Sequence, residues 1–138
     1  MSKAQLTNEI RQRLLADAHA VMAKAYAPYS KFQVGAAILL DDGRVFTGCN
    51  VENASYGLTI CAERNAIFAA VAAGGSAPKP KIVAVAVTNN QNIACSPCGA
   101  CRQVIAEFGP AAVVFYQGPD GIKELSMKEL LPDCFVLD

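Results

Sequence analysis

Apolar residues recur along this chain with two different periods, and the alternation between them predicts its elements. Ile10, Leu14, Ala18, Val21, Met22 and Ala25 fall at helical spacing behind Thr7 or Asn8, either of which can cap the first turn, and Pro28 marks the exit. Gln33 to Leu40 and Arg44 to Cys49 flank the turn Asp41-Asp42-Gly43 and read as a β-hairpin. Cys61 to Ala73 is rich in alanine, offers Ile67, Phe68 and Val71 for inward packing, and stops at Gly74-Gly75 as a second helix. Ile82 to Thr88 alternates valine and alanine in the manner of a buried strand. A third helix opens at Cys98-x-x-Cys101 and ends near Gly109, and Ala112 to Tyr116 is another short strand. Ser126-Met127-Lys128-Glu129 is a capping box for a brief helix before Pro132. No linker, repeat or low-complexity tract interrupts the series. Strands and helices interleave throughout, which predicts a mixed sheet covered by helices in the α/β class.

Length and charge narrow the possibilities. At 138 residues the chain suffices for one core, so residues 1–138 are expected to form a single domain. Lys plus Arg and Asp plus Glu number 12 each, without the basic excess that drives binding to phosphate backbones, so no nucleic-acid partner is expected. The N-terminus opens on polar and charged residues, and no apolar run approaches the roughly 20 residues of a membrane helix. The expectation is a soluble, cytoplasmic protein with no membrane partner. In that setting six cysteines point to reduced thiols and metal binding before disulfides.

Three of those cysteines form a pattern with chemical content. Cys61-Ala62-Glu63-Arg64 begins one predicted helix and Pro97-Cys98-Gly99-Ala100-Cys101 begins the next. A catalytic zinc takes three protein ligands and leaves a position to water, whereas a structural zinc is closed by four. Helix N-termini favour thiolate over thiol, so both groups stand where metal ligands are easily ionised. Three thiolates on Zn²⁺ leave a net negative charge that works against acidifying a bound water. The helix ends offset it, and Arg64, able to donate to thiolate sulfur, is a second candidate. Glu63 is the candidate for moving protons. A Cys-x-Glu element followed by Pro-Cys-x-x-Cys is the pattern of zinc deaminases that act on aminopyrimidine and aminopurine rings. A structural zinc closed by Cys49, Cys95 or Cys134 is the competing reading, with Cys95 the nearest rival in sequence. Arg102 is read as a surface or packing residue, and His19, mid-helix among alanines, as structural or exposed.

Longer strings make a resemblance specific. NVENASYGLTICAERNAIF from Asn50 to Phe68, SPCGACRQV from Ser96 to Val104 and YSKFQVGAA from Tyr29 to Ala37 closely resemble the small homotetrameric, zinc-dependent cytidine deaminases. The resemblance implies a three-layer α/β/α sandwich around a mixed five-stranded sheet. It also implies hydrolysis of free cytidine and 2′-deoxycytidine to the uridine nucleosides and ammonia, a pyrimidine salvage reaction. One zinc per subunit is held by Cys61, Cys98 and Cys101, with Glu63 as proton shuttle. The resemblance assigns Asn50 and Glu52 to a sugar hydroxyl, with Glu52 accepting from the ribose 3′-hydroxyl, Phe32 to a wall of the pocket and the backbone of Ala62 to the pyrimidine. Tyr56 and Phe135 match aromatic residues that reach a neighbouring subunit's site, the latter through the LLPDCF ending. The implied partners are a small nucleoside and further copies of the chain in a homotetramer. A related deaminase acting on another aminopyrimidine, such as the blasticidin S deaminases, shares the Cys-Ala-Glu and Pro-Cys-x-x-Cys elements, but Asn50-Val51-Glu52-Asn53 favours an ordinary nucleoside. A non-catalytic zinc-binding interaction module is the reading from a different class.

Overall fold

The hairpin expected around Asp41-Asp42-Gly43 seeds the sheet. In the computed structural model, which describes residues 6–137, strand β1 (Val34–Leu40) pairs antiparallel with β2 (Val45–Cys49), and on its other side with β3 (Ile82–Asn89). Strand β4 (Val113–Gly118) runs parallel to β3, and β5 (Gly121–Ser126) antiparallel to β4, giving a mixed sheet in the order β2-β1-β3-β4-β5. The central strands β1 and β3 are buried on both faces, which is why they read as nearly continuous apolar runs. Ala36, Ile38 and Val85 face one core, and Ala37, Leu39 and Ala86 face the other.

Helices cover both faces. Helix α1 (Asn8–Met22), capped by the Thr7 hydroxyl, buries Leu14 and Ala18 against Ala37, Val83 and Phe115. On the opposite face α2 (Ala62–Ala73), α3 (Gly99–Phe108) and the short α4 (Met127–Leu130), started by the expected capping box, surround the larger core. Two glycines set how closely the layers approach. A Cβ on Gly35 would stand 2.0 Å from the Ala18 carbonyl oxygen of α1, and one on Gly48 would stand 2.4 Å from the Ala66 nitrogen of α2, so each helix rests directly on strand backbone. The result is the α/β/α sandwich with a five-stranded mixed sheet.

The pairing also fixes where chemistry can collect. Gly35 lies opposite Cys49 and Val34 opposite Asn89, so the end of β2, the start of β1 and the end of β3 share one margin of the sheet, and the connections to α2 and α3 leave from it. Crevices at the carboxyl ends of strands are where α/β sheets bind ligands.

Three details depart from the expectations. Helix α1 ends at Met22, short of Pro28, because Tyr26 is captured by the far side of the molecule: its N–H donates to Asn50 O at 3.0 Å and its carbonyl accepts from Glu52 N at 2.8 Å. Strand β5 and a 3₁₀ turn at Tyr56–Leu58 have no counterpart in the periodicity. Phe68 and Val71, expected to pack inward, are 48% and 45% exposed. At 3.6 residues per turn the inward stripe of α2 is Ala62, Glu63, Ala66, Ile67 and Ala70, which turns Phe68 and Val71 to the outside.

Candidate metal centre

Two loops deliver the cysteines. Beyond β2 the chain folds back on itself, Val51 and Ile60 exchanging backbone hydrogen bonds at 3.0 Å, and this closed loop presents Cys61 as the N-cap of α2. Asn65 Nδ2 donates to Cys49 O at 2.9 Å and ties the helix to the strand end. Beyond β3 the Asn89 side chain accepts from Gln91 and Ile93 N–H groups at 3.0 and 3.2 Å and turns the backbone. Arg102 reaches back from α3 to Pro97 O at 2.8 Å, Ser96 Oγ at 3.0 Å and Leu130 O at 2.8 Å. Of the two roles the sequence left open for it, surface or packing, the structure shows packing, and what it ties down includes the loop that carries a candidate ligand. Cys98 is thereby the N-cap of α3, its Sγ accepting from Cys101 N–H at 3.4 Å.

The sulfurs of Cys61, Cys98 and Cys101 converge within 4.8 Å of one another, Cys61 and Cys98 at 3.9 Å. Tetrahedral zinc with bonds of about 2.3 Å needs sulfurs about 3.8 Å apart, a spacing that Cys61 and Cys98 already have at 3.9 Å, and the three-thiol donor set suits zinc. Cys49, Cys95 and Cys134 stand outside the group, and all six cysteines are free thiols. Cys95, the nearest rival in sequence, is half-buried but its sulfur is not among the donors that converge. Among the described residues, three protein donors are gathered where one metal could reach them all.

Its electrostatics are divided among neighbours. A hydrogen bond from Cys101 and, after the opposing effect of burial, the Arg64 guanidinium pull the Cys61 thiol down to about 5. Cys101, donor to Cys61 and buried, is pushed up correspondingly. Arg64 Nη2 donates to Cys61 Sγ at 3.2 Å, while its Nε is buried without a partner, so the cation is held at the thiolates at some cost in solvation. Glu63 is 5% exposed, and burial first, with the Cys61 thiolate adding, pushes its carboxyl up to about 7 against the opposing pull of its own backbone N–H and Arg64. A buried carboxyl whose pKa is raised, two residues from a candidate metal ligand, has the character of a proton carrier.

Residues 8–117 match the family model described as the cytidine and deoxycytidylate deaminase zinc-binding region. The chain belongs to the cytidine deaminase family. It is 48% identical over 130 residues to the cytidine deaminase of Halalkalibacterium halodurans, covering 93% of this chain and 96% of that one. To the cytidine deaminase of Sporosarcina psychrophila it is 45% identical over 126 residues, 90% of each chain. A crystal structure of cytidine deaminase from Burkholderia pseudomallei aligns with a TM-score of 0.82 at 47% identity, covering 94% of this chain and all of the other. Membership makes the chain a hydrolytic deaminase with zinc as its metal, and its mixed five-stranded sheet is that of the solved cytidine deaminases.

On the loop that leads to Cys61, and on the segment it packs against, lie several of the residues singled out in the sequence. Asn50, 8% exposed, donates from Nδ2 to Phe32 O at 2.8 Å and accepts from Val34 N–H at 2.9 Å. Glu52 reaches the same segment through Tyr29 and Ser30 N–H groups at 3.0 and 3.2 Å. Both side chains thus hold the Tyr29–Val34 backbone, with Phe32 half-buried between them. Ala62 is fully buried at the first turn of α2, where backbone N–H groups have no helical acceptor. Tyr56 is 77% exposed on a cleft of about 430 Å³ that it shares with Tyr29, Ser30, Glu52 and Thr59. Phe135 is not among the residues of that cleft; it projects outward at 68% exposure, its carbonyl held by Gln103 Nε2 at 3.0 Å. Two contributors escaped the sequence reading. Asn90 clamps Gln33 N–H and Lys31 O at 3.0 and 3.2 Å, and the Ser30 hydroxyl bridges Glu52 and Phe32 N–H. The signal for Ser30 was its place in the YSKFQVGAA string; Asn90, in a polar turn, offered none.

Proposed function

We propose that this chain hydrolyses free cytidine and 2′-deoxycytidine to the corresponding uridine nucleosides, releasing ammonia, as a pyrimidine salvage enzyme. The observation that carries the reading is the convergence of three thiols at two helix N-termini with a buried carboxyl two residues from the first. Cys61, Cys98 and Cys101 hold the metal. When bound, zinc supplies a water that gives up its proton near neutral pH. Glu63 takes that proton and delivers it to ring N3 as oxygen adds at C4; it then takes the proton of the new C4 hydroxyl and gives it to the amine, which leaves as the C4–N bond breaks and the C4 carbonyl forms. Arg64 and the helix ends balance the thiolates.

The substrate contacts in this proposal follow the resemblance of the strings around them. Phe32 walls the pocket, the Ala62 backbone meets the pyrimidine, and Asn50 and Glu52 take the sugar hydroxyl. A phosphate on that hydroxyl would remove the donor and set an anion against Glu52, which with the balanced net charge favours free nucleosides over strands. The whole chain acts as one domain, as a cytoplasmic homotetramer whose sites are shared. The outward Phe68 and Val71 on α2, with Tyr56, Leu58 and the Phe135–Leu137 tail, supply apolar surface for such an assembly. Free thiols throughout suit a reducing compartment, and among the described residues no helix is long and apolar enough to cross a membrane.

The decisive experiment is to follow ultraviolet absorbance when zinc-loaded protein meets cytidine. Loss of the cytidine band with uridine and ammonia appearing in equal amounts is expected. No change with fully loaded protein removes the enzymatic reading and leaves a zinc-binding module.

A further inference from the structure

Glu52 arrives at the cleft already engaged, and the way it is engaged gives Ser30 a function. Its Oε1 accepts two backbone N–H groups, from Tyr29 at 3.0 Å and Ser30 at 3.2 Å, and its Oε2 accepts the Ser30 hydroxyl. That hydroxyl in turn accepts from Phe32 N–H at 3.0 Å, which leaves its own proton for Glu52 and fixes its direction. An ionised carboxylate offers about four acceptor sites, two on each oxygen. Three are taken by the loop, so one remains, on Oε2. Neighbouring donors, the Ser30 hydroxyl foremost, hold the Glu52 carboxyl below the usual carboxylate range, so the remaining site is an ionised acceptor open to a hydroxyl donor.

We propose that Ser30 is a positioning residue for sugar recognition: by occupying one lone pair of Oε2 it turns the last acceptor of Glu52 toward the nucleoside 3′-hydroxyl and so sets selectivity for that group. The inference rests on the assignment of Glu52 to the sugar and goes beyond it by naming what aims the carboxylate. The rest of the loop is held independently of Ser30. Lys31, at φ 62°, donates its N–H to Ala27 O at 3.0 Å and is clamped by Asn90, while Asn50 secures Phe32 O and Val34 N–H. Removing the Ser30 hydroxyl therefore leaves the loop in place and frees Oε2 to rotate or to turn its second lone pair to Phe32 N–H or solvent. A defect confined to one substrate hydroxyl is the signature of this arrangement. General loosening of the loop would weaken every substrate alike.

The test compares parent, Ser30→Ala and Ser30→Thr protein on cytidine and on 3′-deoxycytidine. In Ser30→Ala, kcat/KM for cytidine should fall ~10- to 100-fold, the range of a hydrogen bond to a charged group, mostly through KM. Activity on 3′-deoxycytidine should stay within about twofold of the parent, so the preference for the 3′-hydroxyl collapses. Ser30→Thr, which retains the hydroxyl, should restore most of it. Equal losses on both substrates, or no loss on cytidine, overturns the proposal. Calorimetric binding of uridine and 3′-deoxyuridine gives the same comparison without turnover. If the parent deaminates nothing, the functional reading fails, and the binding pair still decides whether Ser30 governs a 3′-hydroxyl contact.

Discussion

Gly48→Ala tests whether the packing of α2 on β2 is what holds the ligand helix in register. The added Cβ would lie 2.4 Å from Ala66 N, 2.6 Å from Ala62 O and 2.9 Å from the carbonyl carbon of Asn65, all of them backbone atoms of α2. No rotamer change relieves such contacts. Restoring carbon contacts to about 3.5 Å requires the first two turns of the helix to retreat by roughly 1 Å. Overpacking of this kind costs ~1–3 kcal/mol. At ~4 °C per kcal/mol for a chain of this size, the midpoint of thermal unfolding should drop by roughly 4–12 °C. The retreat carries Ala62, which sits between Cys61 and Glu63, so geometry at the centre changes with it. A misplacement of about 1 Å in a catalytic group costs on the order of 100-fold in rate, and kcat/KM for cytidine should fall on that scale even well below the midpoint. Gly57→Ala, whose Cβ meets nothing within 4 Å, is the control and should leave the midpoint unchanged. The measurements are differential scanning calorimetry, zinc content and steady-state kinetics on the same preparations. A Gly48→Ala protein that melts with the parent and turns over at the parent's rate would refute the argument that helix-on-strand contact positions the centre.

Two further outcomes separate the roles within the site. Glu63→Gln should keep its zinc and fold while kcat falls ~10²- to 10⁴-fold, whereas Cys98→Ala should lose the metal itself; equal zinc loss by metal analysis after gel filtration would make Glu63 a ligand. Phe135→Ala should weaken substrate binding or assembly without removing zinc, measured by sedimentation alongside kinetics, and a fully active monomer would count against shared sites.

The elements that the sequence made legible are those whose local chemistry and burial agree. Thr7, Cys61, Cys98 and Ser126 each stand one residue before a helix, and β1 and β3 announce themselves because both of their faces are buried. Strand β5 lacks that agreement. Gly121 to Glu124 are exposed and only Leu125 and Ser126 approach the core, so no period of two emerges, although the Pro119-Asp120 turn between Gly118 and Gly121 was a usable sign. Phe68 and Val71 misled for the opposite reason. They are apolar but outward, and composition alone cannot tell a core face from a face that awaits a partner. At the centre, Cys61, Glu63, Cys98 and Cys101 were legible because metal ligands need particular residue types at particular spacings. Asn90 and the Ser30 hydroxyl were not, because they act through backbone that only the tertiary fold brings within reach.

The position of Arg64 follows from the choice of three thiolates as ligands. Three thiolates around a divalent cation leave one negative charge in excess, and an ionised Glu63 makes it two. Such a cluster would hold the Glu63 proton too tightly for it to be released at neutral pH. Two helix N-termini contribute about half a positive charge each, and Arg64 at 3.2 Å from Cys61 contributes a full one. Together they bring the cluster to a net charge of roughly +1 with Glu63 neutral and roughly zero with it ionised. Proton transfer through Glu63 then moves the centre between two states of small net charge, neither of which a buried site strongly penalises. Arginine suits this task better than lysine because its charge persists at any working pH and its planar donors can address a sulfur while the stem stays in the helix. The two capped helices and one guanidinium thus do electrostatically what neutral histidine ligands would otherwise do, and they explain why Cys61, Glu63 and Arg64 occur within a single helical turn.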